Sequence, residues 1–119
     1  MMLILLEQST ADPAALRQLR SEPKFWVTKW YVGPDTPEDG RALIALVNRA
    51  IDDVLSSPSP SDATQLRNRL RRLIADVELF ATEDRDQTYR YVVRIWQAAG
   101  FAEESQLFPV ADDRVLREP

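Results

Sequence analysis

The sequence predicts an all-α protein, a single small antiparallel bundle of four main helices. Three stretches repeat apolar side chains at i, i+3, i+4 and i+7, the spacing that lines one face of a helix. Capping residues, prolines and glycines bracket these stretches, and the joints between them are short enough to favour antiparallel neighbours. The length of 119 residues suits one domain. That domain is expected to cover 1–119, with an apolar N-terminal arm at 1–11 and a C-terminal tail at 109–119. The two ends leave room for a minor two-stranded piece, Leu3–Leu6 against Arg114–Leu116.

A short first helix begins at Asp12-Pro13. Asp12 accepts from the free amide groups, and Pro13 fits the first helical position because its missing N–H is not needed there. Leu16 and Leu19 form its apolar face. Pro23 ends it, since the residue before a proline is pushed out of helical geometry.

The second helix starts at Thr36-Pro37, with Glu38 and Asp39 where the helix dipole favours anions. Leu43, Ile44, Leu46, Val47, Ala50, Ile51, Val54 and Leu55 face a core. Gly40 is a small cost. Ser56-Ser57-Pro58-Ser59-Pro60 is a turn-rich linker. A third helix starts near Ser61 and is lined by Leu66, Leu70, Leu73, Ile74 and Val77, with Ala63 before them and Phe80 after.

Thr82 announces the fourth helix, followed by Glu83, Asp84 and Asp86. Tyr89, Val92, Val93, Trp96 and Ala99 are its expected buried stripe, widened by Tyr91 and Ile95. Gly100 is placed to end it in the left-handed conformation. A short helical turn over 102–108 precedes Pro109.

Residues 24–34 break this rhythm. Phe25, Trp26, Trp30 and Tyr31 place four of the ten aromatic residues within seven positions. The segment closes at Gly33-Pro34. It has no clean polar face as a helix, so it is expected to be irregular.

Composition excludes several chemistries. There is no cysteine and no histidine. Disulfides, thiol catalysis, thiolate metal sites and imidazole acid–base work are therefore absent. Three glycines do not make a phosphate-cradling loop. The net charge is −4, and residues 1–60 and 61–119 each carry −2 (8 acids against 6 bases, then 11 against 9). A non-specific nucleic-acid binder is expected to be basic, so no nucleic-acid partner is expected. The run Met1–Leu6 is too short for a signal-peptide core or a membrane span, so the expectation is a cytoplasmic protein without a membrane partner.

Each constellation has an ordinary reading beside a functional one. Glu83, Asp84 and Asp86 are suitable oxygen ligands for a hard cation, yet a helix N-terminus explains them without a metal. Asp52 and Asp53 point about 100° apart on a helix and do not serve one site. Arg67 and Arg71 make one stripe and Arg69 and Arg72 another, with Asp76 available to Arg72 as a surface pair. Trp26, Trp30 and Tyr31, beside Lys24 and Lys29, either form a binding patch or cover one end of the bundle. Tyr89, Tyr91 and Trp96 sit at helical spacing and belong to the core.

Two stretches resemble a known family. One is Leu16 through Tyr31-Val32-Gly33, with Lys24-Phe25 ahead of Trp30-Tyr31 and a long helix after it. The other is Thr82-Glu83-Asp84-Arg85 followed by Tyr89 or Tyr91. Together they resemble, over residues 16–108, a small bacterial family catalogued as a domain of unknown function, whose members are short helical proteins. The resemblance implies a helical fold and brings no activity or site residue with it. In general shape the chain also looks like the small acidic immunity partners of secreted toxins.

No nucleophile–base arrangement is recognisable, so no catalytic residue, no metal site and no cofactor are expected. The expectation is a non-catalytic protein-binding module, a toxin-neutralising immunity protein acting by occlusion on a basic toxin. Its expected contact residues are Trp26, Trp30, Tyr31, Asp35, Glu38 and Asp39. The alternatives are a self-associating structural or regulatory protein, which leaves a homodimer open, and a carboxylate enzyme with Mg²⁺ or Mn²⁺.

Overall fold

The computed structural model describes residues 12–56 and 63–101. Four helices follow one another: α1 (Pro13–Ser21), α2 (Pro37–Ser56), α3 (Ala63–Asp76) and α4 (Thr82–Ala98). Among the described residues there is no strand. The expected strand pair, the arm at 1–11, linker residues 57–60, the turn over 102–108 and the tail lie outside the described residues.

The helix ends follow elementary rules. The Ala15 N–H donates to Asp12 Oδ1 (3.1 Å), so Asp12 caps α1 and Pro13 occupies its first position. The Asp39 N–H donates to Thr36 Oγ1 (3.0 Å) at the start of α2. The cap of α4 differs from the expectation. Ala81, in extended geometry, holds the cap position without a side-chain hydrogen bond. Thr82 is instead the first helical residue, and its Oγ1 accepts from Arg85 Nη2 (3.0 Å). Gly100 takes φ +108° just past α4, as a left-handed terminator does.

The helices form a closed ring. α1 packs on α2 and α4, α3 packs on α2 and α4, and α2 and α4 meet across the middle. The Asp12 N–H donates to the Ala98 carbonyl (2.7 Å), which sets the start of α1 beside the end of α4. The core is built from Leu16 and Leu19 of α1, Leu43, Val47, Ala50, Ile51 and Val54 of α2, and Leu66, Leu70 and Leu73 of α3. Val77, just past α3, is buried with them.

The buried arc of α4 is rotated from the expected stripe. Asp84, Thr88, Tyr91, Val92, Ile95 and Trp96 are buried, whereas Tyr89 and Val93 are only half-buried. The reason is that α4 touches all three other helices and also carries the chain between α1 and α2 on its flank.

The adjacent aspartates of α2 do diverge. Asp52 accepts from Arg20 of α1 (2.6 Å), and Asp53 accepts from Arg69 of α3 (2.7 Å). Each carboxylate ties α2 to a different neighbour. On α3 it is thus Arg69, rather than Arg72, that forms the described ion pair. No helix among the described residues is long and apolar enough to cross a membrane.

Candidate functional site

α1 has only 9 residues against 20 in α2. It therefore lines part of the bundle's length, and residues 22–36 run on along α4 as irregular chain. Three contacts fasten them. Glu22 pairs with Arg94 through two hydrogen bonds (3.0 and 2.9 Å). The Phe25 N–H donates to the Tyr91 hydroxyl (3.0 Å). The Tyr31 hydroxyl donates to Asp84 Oδ1 (2.6 Å). The partners descend from 94 to 91 to 84 as the segment ascends, so segment and helix are antiparallel.

The turn out of α1 is held by a buried lysine. Lys24 Nζ donates to the carbonyls of Arg20 (2.8 Å) and Glu22 (3.1 Å), groups that a helix C-terminus leaves unpaired. Burial draws this ammonium below the ordinary lysine pKa, with nearby Glu22 opposing the shift. Phe25 then adopts φ +56°, unusual for a residue with a side chain. In that conformation its ring meets Tyr91 edge-on at 5.0 Å and Tyr31 at 6.4 Å.

These anchors sort the aromatic residues. Phe25 and Tyr31 are core. Tyr31, expected in the contact patch, is 4% exposed and does not join the outer surface. Its ring is taken inward because Asp84 offers a buried acceptor for the hydroxyl. Burial and that carboxylate together hold the phenol well above its ordinary pKa.

Trp26 and Trp30 point the other way, at 61% and 85% exposure. Val27 and Val32, which composition alone does not single out, are exposed beside them in the sequence. Lys29 Nζ lies 5.5 Å from the Trp30 ring centre. A tight loop sets this stretch: the Thr28 N–H donates to the Tyr31 carbonyl (2.8 Å), and the Trp30 N–H to Thr28 Oγ1 (3.2 Å). Four large apolar side chains are thus displayed on a short segment tied down at both ends.

The expected acids flank its C-terminal side. Asp35 and Glu38 are exposed and Asp39 is half-buried, at the entry to α2. Asp35 and Asp39 line a shallow groove of about 450 Å³ with Leu79, Phe80 and Ala81 of the α3–α4 turn. Leu79 is almost fully exposed and carries no signal in the sequence, because it reads as one more apolar residue beside Val77, Phe80 and Ala81, which are buried or half-buried.

The acids at the start of α4 do not converge. Asp84 turns into the core onto Tyr31, while Glu83 and Asp86 are exposed. Among the described residues no three carboxylates are grouped so as to hold a metal ion. The arginines of α3 also part company: Arg69 pairs with Asp53, and Arg67 lies over the Trp96 ring (5.7 Å).

No curated protein and no solved structure matches the chain. A family model does match, over residues 7–108, and so spans all four helices, the tethered aromatic loop and the groove. A match over that much of the chain decides membership: the protein belongs to the family described as Domain of unknown function (DUF4844).

Proposed function

We propose that the protein is a non-catalytic protein-binding module, a cytoplasmic immunity protein that neutralises a basic toxin by covering its working surface. The observation that supports this reading is the outward display of Trp26, Val27, Trp30 and Val32 on a loop pinned to α4. Isolated apolar side chains on a surface need no explanation, but several on one short anchored segment mark an interaction site. Tryptophan concentrates binding energy because it buries a large area with few rotors to freeze. The anchors add pre-organisation, which removes the ordering cost that a loose loop meets on binding. Acids at 35, 38 and 39 follow the display along the chain and favour a basic partner through faster, oriented encounter.

The test is affinity capture from the native host with the wild-type chain and with a Trp26→Ala/Trp30→Ala variant, followed by a growth assay with the captured protein. Expected is a basic partner held by the wild type, lost by the variant, and toxic to cells only when the wild type is missing. Capture of no stable partner, or equal capture by both chains, overturns the proposal. So does a stable oligomer at micromolar concentration that the double substitution dissolves, because the surface then serves a second copy of the chain.

A further inference from the structure

We infer that the groove between the first turn of α2 and the α3–α4 turn receives an arginine or lysine side chain of the protein partner; this rests on the protein-binding reading above and specifies what the partner brings. The groove has two chemical parts. Leu79, Phe80 and Ala81 supply apolar wall, and Asp35 and Asp39 supply carboxylates. Neither carboxylate is paired with a base among the described residues, although Asp52, Asp53 and Glu22 each have an arginine. No basic side chain among the described residues neutralises this pair, and the start of α2 alone favours the Asp39 charge.

Other classes of occupant fit poorly. An anion meets two carboxylates. Among the described residues no third acid joins them, so the pair falls short of the roughly six to eight oxygen ligands of a dedicated Ca²⁺ site. A wholly apolar group strips water from both carboxylates and returns nothing. A cation on an apolar stem matches both parts at once. Its methylenes lie along Leu79 and Phe80, and its head stays with the acids and with water. A guanidinium is the better of the two heads, because its flat fork accommodates two carboxylates.

The source is a protein because of continuity. The Tyr31 hydroxyl is bonded to Asp84, three residues past Ala81 of the groove wall, and Asp35 follows Val32 by three residues, so loop and groove are both anchored at the start of α4, within reach of one partner. That partner then presents an apolar patch next to a basic residue.

The inference is tested on the free protein, without the partner. Isotope-labelled protein is titrated with the tripeptide Ac-Gly-Arg-Gly-NH₂, and with Ac-Gly-Gln-Gly-NH₂ as the neutral control, while backbone amide shifts are followed. Expected are saturable shifts at Asp35, Asp39, Leu79, Phe80 and Ala81 with the arginine peptide only. Binding weakens by about five- to tenfold in Asp35→Asn/Asp39→Asn, the size expected for losing two exposed charge contacts. Leu79→Ser also weakens it, and that substitution spares the core because Leu79 is 97% exposed. Shifts missing from these five amides, shifts of equal size at Asp76 and Glu83, or shifts unchanged in both variants overturn the inference. Loss of capture through Trp26 and Trp30 is read separately, so failure of the groove and failure of the binding module are told apart.

Discussion

Tyr31 and Asp84, 53 positions apart in the chain, share a buried hydrogen bond of 2.6 Å that joins the aromatic loop to the first turn of α4. The aspartate suits both ends of this contact. It lies within the first turn of a helix, where negative charge is favoured, and it offers an acceptor to a phenol that burial has removed from water. Tyr31→Phe keeps the ring and removes the donor, leaving a buried carboxylate short of a partner. The expected cost is about 2–3 kcal/mol, read as a lower urea midpoint with an unchanged slope. A loss under 0.5 kcal/mol would mean that the bond is not held in solution.

The same contact sets a pH dependence at the alkaline end. The folded Tyr31 keeps its proton above the ordinary phenol range. In the unfolded chain it ionises near pH 10. Above that pH the folded state binds more protons than the unfolded one, so stability falls as pH rises further. This contribution is fully present below about pH 10. Tyr31→Phe removes that part of the alkaline decline, which unfolding curves between pH 9 and 11 report.

The helices were legible from residue order because they follow local rules. Asp12, Thr36 and Gly100 act at their helix ends as capping chemistry dictates. The divergence of Asp52 and Asp53 follows from helical geometry alone, although only the structure shows Arg20 and Arg69 as the partners. The aromatic loop was legible as irregular chain but not in its facing. Strand alternation puts Val27 with Phe25 and Tyr31, whereas Val27 is exposed and the other two are core. That sorting depends on Tyr91 and Asp84, which lie more than fifty residues away and carry no local mark. Leu79 and the groove were invisible for the same reason, since they arise where the turn after α3 meets the start of α2.

Tryptophan emission separates the outer loop from the core. Trp26 and Trp30 are exposed, whereas Trp96 is fully buried and stacked on Phe101 at 4.5 Å. Iodide is expected to quench most of the wild-type emission and little of what remains in Trp26→Ala/Trp30→Ala, whose spectrum shifts to the blue. Stability of that variant changes by about 0.5 kcal/mol or less, as for exposed sites generally. A large loss of stability would place the two indoles in contacts that matter to the fold.

Gly33 tests the geometry of the loop. Its φ of +94° is costly for any residue with a Cβ, and an added Cβ lies 3.2 Å from Val27 Cγ2. Val27 is exposed and free to yield, so backbone strain dominates over the close contact. Gly33→Ala is expected to cost about 1–2 kcal/mol, measured by denaturant midpoint, and to alter iodide access to Trp30. The control is Thr28→Ala. It removes the acceptor for the Trp30 N–H but imposes no backbone strain, and it costs less.

At the acid end the tether between Glu22 and Arg94 governs. The Arg94 guanidinium holds the Glu22 carboxyl below its ordinary range through two hydrogen bonds, with burial opposing. In the unfolded chain Glu22 takes up its proton near pH 4.3. Below that pH the unfolded state binds more protons, so stability falls as pH drops through the lowered folded value and is restored above the unfolded one. Asp52 behaves in the same sense through Arg20. Both pairs are open to solvent, so their contributions are small and shrink in high salt. Glu22→Gln is therefore expected to flatten the stability profile between about pH 5 and 3 at low salt, and to match the wild type more closely in 1 M salt. If the two profiles stay parallel at low salt, the base of the aromatic loop is held by the Lys24 bonds to the end of α1 rather than by the ion pair.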